Sequence, residues 1–211
     1  MALSFAETAS ETPLVELSDQ EISQVLSDTQ AIRSGHFKLT SGRHSDTYIQ
    51  CARVLEHPRL TRRLAAETIR RLPAELSQSI DLVVSPAVGG ILFGFAIADV
   101  LGTPMVFSER VEGRMALRRA FQIAFGSRVL IAEDVVTSGG SVREVADLIK
   151  AEGGQVLAVV ALIDRGGEPL FQAPFYPLLR RQTPSWDAED CKLCAQGLPL
   201  DAPGSRHLQQ P

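Results

Sequence analysis

Cysteine is scarce in this chain, three in 211 residues, and Cys51 lies far from Cys191 and Cys194. An odd, scattered set of this kind excludes the disulfide framework on which small secreted domains depend. No apolar run is long enough to span a bilayer, and the first residues carry Glu7 and Glu11 without the basic start of a secretory signal. The expected location is the cytosol. A basic excess is also missing: 21 Lys and Arg stand against 25 Asp and Glu, a formal charge of −4. A general binder of nucleic acid or of a membrane surface would want the opposite sign, so small molecules or other proteins are the expected partners. Internal repeats are absent as well. What is present is a 45% hydrophobic composition, enough for one sizeable core. Residues 1–17 are weakly patterned and read as an arm, and residues 18–211 read as a single domain.

The most informative stretch runs from Arg128 to Gly154, RVLIAEDVVTSGGSVREVADLIKAEGG. An apolar run reaches two carboxylates, Glu133 and Asp134, passes Val135 and Val136, crosses the turn Thr137-Ser138-Gly139-Gly140-Ser141 and enters an amphipathic segment. That order is strand, acidic edge, glycine turn, helix. The glycines allow several N–H groups to converge, and the positive end of the helix dipole joins them, which favours a phosphate dianion. Hydroxyls of Thr137, Ser138 and Ser141 add donors. Two carboxylates beside a phosphate would repel it unless they face another part of the ligand, and a ribose, whose adjacent hydroxyls are donors, suits them. The stretch reads as a sugar-phosphate site.

Elsewhere, Ser18 and Glu21 form a capping-box pattern, and Ile22, Val25, Leu26 and Ile32 keep helical spacing, predicting a helix from Ser18 to about Arg33. His36–Leu55 carries apolar pairs on either side of Ser41-Gly42-Arg43 and predicts a hairpin outside the main sheet. Pro58 opens another helix, with Arg62, Arg63, Arg70 and Arg71 as its wet face. Residues 81–84 read as a strand, and Ser85–Gly90 as a turn into an apolar helix, a second candidate anion cradle. Residues 104–108 and the β-branched run Val156–Ile163 are further strands. The alternation of strands and helices from 58 to 164 predicts an α/β fold with a parallel central sheet flanked by helices.

Ile131–Ser141, IAEDVVTSGGS, resembles the phosphoribosyl-pyrophosphate (PRPP) signature of the type I phosphoribosyltransferases. Leu39, Ser41, Gly42, Arg43, Ser45 and Tyr48, together with the pair Asp164-Arg165, extend the resemblance to the orotate phosphoribosyltransferases. In that family the 36–55 region forms a small N-terminal hood over the pyrimidine. The resemblance implies that Glu133 and Asp134 hold the ribose and act catalytically, and that Val135, Val136, Thr137, Ser138, Gly139, Gly140 and Ser141 bind PRPP. It adds Ala87, Val88, Gly89 and Gly90 as the pyrophosphate loop and Arg110 as a further PRPP contact. Thr137, Arg165 and Tyr48 would meet orotate. A guanidinium matches a carboxylate fork, although Arg165 also reads as a surface loop arginine. The implied cofactor is Mg²⁺, held mainly by PRPP and water, and the implied assembly is a homodimer.

The chain departs from the family pattern at Ile49, where other members have an aromatic residue, and at three further places. Thr40 and Gly89 stand where other members have lysines, with Lys38 offered as a substitute for the first. Glu109–Arg119 carries four arginines and two glutamates in place of a lysine-rich loop. It reads either as a mobile lid over the pyrophosphate, with Arg110, Arg114 and Arg118 as its charges, or as a charged surface hairpin. In the tail from about 174, Cys191-x-x-Cys194 has the spacing of half a zinc site, with His207 the nearest further ligand, although two ordinary thiols is the simpler reading. His44 is assigned no role. A phosphoribosyltransferase for another base, or a regulator of the same fold that binds PRPP without turnover, remains open.

Overall fold

Ser18 begins the first helix as its sequence asks. Its hydroxyl accepts from the Glu21 N–H while the Glu21 carboxylate accepts from the Ser18 N–H, so two donors without intrahelical partners are satisfied at once. In the computed structural model, which describes residues 16–203, this helix α1 covers Asp19–Asp28. The arm predicted for 1–17 lies outside the described residues except for Glu16 and Leu17. Helix α1 is shorter than predicted: Gln30 takes a positive φ of 59°, and Ile32, with the right spacing for the helix, instead opens strand β1 (Ile32–Lys38).

Strand β1 pairs antiparallel with β2 (His44–Ile49), as the hairpin reading expected, and the pair stands apart from the main sheet. Helices α2 (Ala52–Leu55), α3 (Pro58–Arg70) and α4 (Ala74–Gln78) lead to β3 (Leu82–Pro86) and α5 (Gly90–Leu101). Next come β4 (Met105–Val111), β5 (Arg114–Leu117), β6 (Arg128–Val136), α6 (Gly140–Ala151) and β7 (Gln155–Asp164). The segment from 174 is more than a tail. It supplies β8 (Phe175–Arg180) to the main sheet and the short β9 (Ser185–Trp186) to the hood, before a four-residue helix α7 (Lys192–Ala195).

The main sheet has the order β5-β4-β3-β6-β7-β8, parallel except for β5. Alternate residues of each central strand feed two cores. On one face Val83, Leu130, Ala132, Val160 and Leu162 pack with Phe93 and Ile97 of α5 and Leu64 of α3. On the other, Val84, Ile131, Val159 and Ala161 pack with Val142, Val145 and Ile149 of α6. Burial on both faces explains why β6 and β7 are continuous apolar runs. After β3 the chain crosses to β4 on one side, and after β6 it crosses to β7 on the other. The crevice between the C-terminal ends of β3 and β6 is therefore the topological switch point, where ligands of such sheets bind.

The wet-face reading of α3 holds for exposed Arg62, but Arg70 and Arg71 are also tied to a buried acid. Glu67 is 4% exposed, and it accepts from Arg70 Nη2 at 2.8 Å, from Arg71 Nε at 2.7 Å and from the Leu17 N–H at 3.3 Å. Burial alone would raise its pKa, but the two guanidiniums and the N–H outweigh it and bring it to about 2. Arg71 also donates to the carbonyls of Leu17 and Leu178, so it ties α3 to the entry of α1 and to β8.

The end of the described chain wraps the hood. Asp201 bridges Phe37 on the free edge of β1, while β9 pairs with β2 on the other side. Arg43 donates to Asp187 Oδ1 at 2.6 Å and to the Ser185 carbonyl at 2.7 Å, so it fastens β9. Cys191 and Cys194 come together with His36 and His44; His207, the nearest histidine in sequence, lies outside the described residues.

Candidate active site

The two predicted glycine loops meet at the switch point. In the first, after β3, Gly89 has φ −57° and ψ −47°, angles that any residue adopts, so its glycine is not there for backbone freedom. Space is the reason. A Cβ on Gly89 would lie 2.7 Å from both carboxylate oxygens of Asp134, and a Cβ on Gly90 would lie 2.9 Å from Glu133 Oε1. A side chain at 89 would therefore press on the Asp134 carboxylate, which would have to shift to admit it. The Ala87–Val88 peptide is cis. Ala87 spends its N–H on the Ser108 carbonyl, so an anion at this loop must be met by the N–H groups that follow it, toward the N-terminus of α5.

In the second loop only Gly139 uses its conformational freedom, with φ +74° at the N-terminus of α6, and the ring of Phe171 lies against its Cα. Thr137, Ser138, Gly139, Gly140 and Ser141, with Glu133, Val135 and Val136, line a cavity of about 240 Å³. Two larger depressions, beside α1 and beside the outer face of α6, hold none of these residues. The segment after β7 closes the second loop from the side. The Arg165 N–H donates to the Val136 carbonyl and the Leu170 N–H to the Ser138 carbonyl, each at 2.9 Å.

Glu133 is 8% exposed and its neighbour is another acid. Burial, then the negative charge of Asp134, then a hydrogen bond between the two side chains push its pKa up to about 9. At neutral pH Glu133 is therefore held protonated beside Asp134. Positive charge arriving there would ionise Glu133, so the pair is tuned to receive a cation or a developing one. Buried Cys51 was not foreseen as part of this wall; its thiol sits 3.8 Å from the Asp134 carbonyl and is held protonated by burial and by both acids.

The remaining predicted residues divide. Half-buried Arg165 follows β7 directly, and its Nε donates to Thr183 Oγ1 at 3.1 Å. Desolvation lowers its pKa, as expected for a cation kept partly dry. Asp164 fixes this turn by accepting from the Gly166 N–H at 2.9 Å. Tyr48 packs on Phe37 in the hood, ring centroids 5.6 Å apart, and its hydroxyl donates to Gln50. Glu109–Arg119 takes the hairpin form: β4 runs on to Val111 and turns back as β5. Arg110 there is paired with Glu144 of α6 at 2.9 Å and donates to the Gly113 carbonyl, while Arg114 and Arg118 are exposed. Lys38 ends β1 and Thr40 lies in the following turn, so the strand alternation that would put them on one face does not reach position 40.

Comparison with known proteins separates the fold from the choice of base. The phosphoribosyl transferase domain family matches residues 51–189. The chain is 45% identical over 194 residues to the orotate phosphoribosyltransferase of Heliobacterium modesticaldum, covering 90% of this chain and 100% of that protein. It belongs to the orotate phosphoribosyltransferase family. The enzyme of that name from Thermotoga maritima is 43% identical over 89% of this chain and 100% of its own length. Among solved structures, orotate phosphoribosyltransferase from Aeropyrum pernix matches with a TM-score of 0.64 at 22% identity, covering 75% of this chain and 93% of that one. Adenine phosphoribosyltransferase from Thermoanaerobacter pseudethanolicus matches with a TM-score of 0.53 at 21% identity, covering 64% of this chain and 88% of that one. The fold is shared by enzymes named for different bases, and the family assignment rests on the sequence relatives.

Proposed function

We propose that this protein transfers the phosphoribosyl group of PRPP to orotate, giving orotidine 5′-monophosphate and pyrophosphate for pyrimidine nucleotide synthesis. The observation that carries the reading is the packing of Glu133 and Asp134 against Gly90 and Gly89, which sets a pair of acids between two glycine loops at the switch point. The C1–oxygen bond to pyrophosphate breaks as the C1–nitrogen bond to orotate forms, and C1 passes through an oxocarbenium-like state. Asp134, joined by Glu133 as positive charge builds, holds the ribose hydroxyls and stabilises that charge. Thr137–Ser141 and the N-terminus of α6 bind the 5′-phosphate. Arg165 takes the orotate carboxylate and aligns the ring nitrogen with C1. Tyr48 and Thr137 border the same base, and Arg110 stands by the diphosphate.

The acids beside the cavity are hard oxygen donors of the kind Mg²⁺ prefers, so the residues fit that ion. When bound to PRPP it would neutralise the departing pyrophosphate. We place the enzyme in the cytosol, where its soluble substrates are, and as a homodimer. Val88, Leu92 and Phe95 are 82, 53 and 66% exposed along one side of α5 and its approach, an apolar face suited to a second copy. Sedimentation as a monomer at micromolar concentration would contradict that assembly. Formation of orotidine 5′-monophosphate from orotate, PRPP and Mg²⁺ tests the proposed reaction.

A further inference from the structure

Four donor atoms from distant parts of the chain converge at the outer end of the hood. His36 comes from β1, His44 from β2, and Cys191 and Cys194 from the start of α7, and all their ligand atoms lie within 4.8 Å of one another. His36 Nε2 is 3.2 Å from His44 Nδ1, 3.4 Å from the Cys191 sulfur and 3.6 Å from the Cys194 sulfur, and Cys194 is 3.3 Å from His44 Nδ1. Around tetrahedral zinc, with Zn–N near 2.0–2.1 Å and Zn–S near 2.3 Å, the N···N edge is about 3.3 Å and the N···S edge about 3.6 Å. These four of the six edges agree with those values to within a few tenths of an ångström.

Two further observations point the same way. His36 Nδ1 is 2.9 Å from the Leu198 carbonyl, which can only accept, so the ring hydrogen is on Nδ1 and the Nε2 lone pair faces the other three donors. A backbone carbonyl orienting a histidine through its second nitrogen is the usual support of a metal ligand. Secondly, the chain around these cysteines has little apolar core of its own. The 3₁₀ turn Ala188–Asp190 and helix α7 bury no residue, and Leu198 and Leu200 are 45 and 44% exposed. A segment with almost no core of its own needs a staple.

We infer that His36, His44, Cys191 and Cys194 form a structural zinc site that clips the C-terminal segment to the hood. Two thiolates and two imidazoles in a tetrahedron select Zn²⁺. Four protein ligands fill its coordination, so the ion has no open position for substrate. Its role is to fix β1, β2 and the strand-like contact of Asp201 as one unit.

The test uses full-length protein from zinc-supplied cells, with neither readout depending on turnover. Metal analysis should give about one zinc per chain, and Cys194→Ser, at an exposed thiol, should retain less than about a tenth of that. His57→Ala, at a histidine outside the cluster, should keep the full amount. Cobalt(II) added to the chelated wild-type protein should give the intense visible bands of a tetrahedral site with a thiolate-to-cobalt charge-transfer band, and this arm stands even where Cys194→Ser folds poorly. Wild-type protein with less than about a tenth of a zinc per chain would overturn the inference, as would equal zinc in Cys194→Ser, an octahedral cobalt spectrum or a Cys191–Cys194 disulfide.

Discussion

Replacing Gly89 by Ala perturbs the active-site crevice by one methyl group, and its effects on stability and rate should part company. The backbone at 89 is helical, so alanine fits it and should leave the melting temperature unchanged or slightly raised, since Gly→Ala at a compatible position is worth ~0.4–1 kcal/mol. The new Cβ, however, would stand 2.7 Å from both oxygens of Asp134, whereas ordinary contact begins near 3.4 Å, so the carboxylate must retreat by about 0.7 Å. A misplacement approaching 1 Å at reacting groups costs on the order of 10²-fold, so kcat should fall between ~10 and ~10²-fold. The assay is steady-state pyrophosphate release under saturating orotate and PRPP, beside a thermal melt of the same sample. Asp134→Ala supplies the control: if the methyl acts through Asp134, adding Gly89→Ala to that variant should cost little more. A Gly89→Ala enzyme with kcat within twofold of wild type would refute the claim that glycine is there to admit the acid.

Glu133→Gln should stabilise the free protein while disabling it. A carboxyl raised from 4.5 to about 9 must take up a proton on folding, so it costs stability that grows as pH rises from about 4.5 to about 9. The neutral amide removes that cost, at most ~3 kcal/mol at pH 7, and a melt at pH 7 below that of wild type would contradict the burial argument. Arg165→Ala should raise KM for orotate at least ~10-fold, from the loss of a charge-assisted hydrogen bond, with KM for PRPP little changed. An unchanged orotate KM would remove the carboxylate assignment. Glu67 has a pKa depressed to about 2, so its contribution is full above about 4.5 and is lost as pH falls toward 2. Glu67→Ala should destabilise by roughly 2–3 kcal/mol at pH 7 and flatten the acid limb of a pH–stability curve, and a variant that melts like wild type would discount the cluster.

Much of this was legible where one local rule decided the outcome. Ser18 with Glu21 fixed a helix start, Pro58 fixed another, and the doubly buried β6 and β7 left continuous apolar runs. The acids and the Gly139 turn could be read as a sugar-phosphate site because strand, carboxylates and loop are consecutive. Strand β8 was hidden by Pro177, a residue that argues against a central strand but is tolerated here because β8 lies at the sheet edge. The arginines of α3 looked solvated because the buried partner, Glu67, sits among them on the same helix and its burial comes from tertiary packing. Gly89 looked like a missing lysine, and only the position of Asp134 shows what a side chain there would press on. The cysteines lacked two partners because His36 and His44 are more than 140 residues away in sequence. A hairpin that pairs Lys38 with His44 sets 36 and 44 diagonally on one face, and that register was the available signal.

The central claim, transfer to orotate, is tested most directly by offering the purified enzyme PRPP, Mg²⁺ and an equal mixture of orotate, adenine, hypoxanthine and uracil, and identifying the nucleotides formed by mass. The account predicts orotidine 5′-monophosphate as the dominant product, with pyrophosphate in equal amount. A purine nucleotide as the main product, or no nucleotide at all, would contradict it.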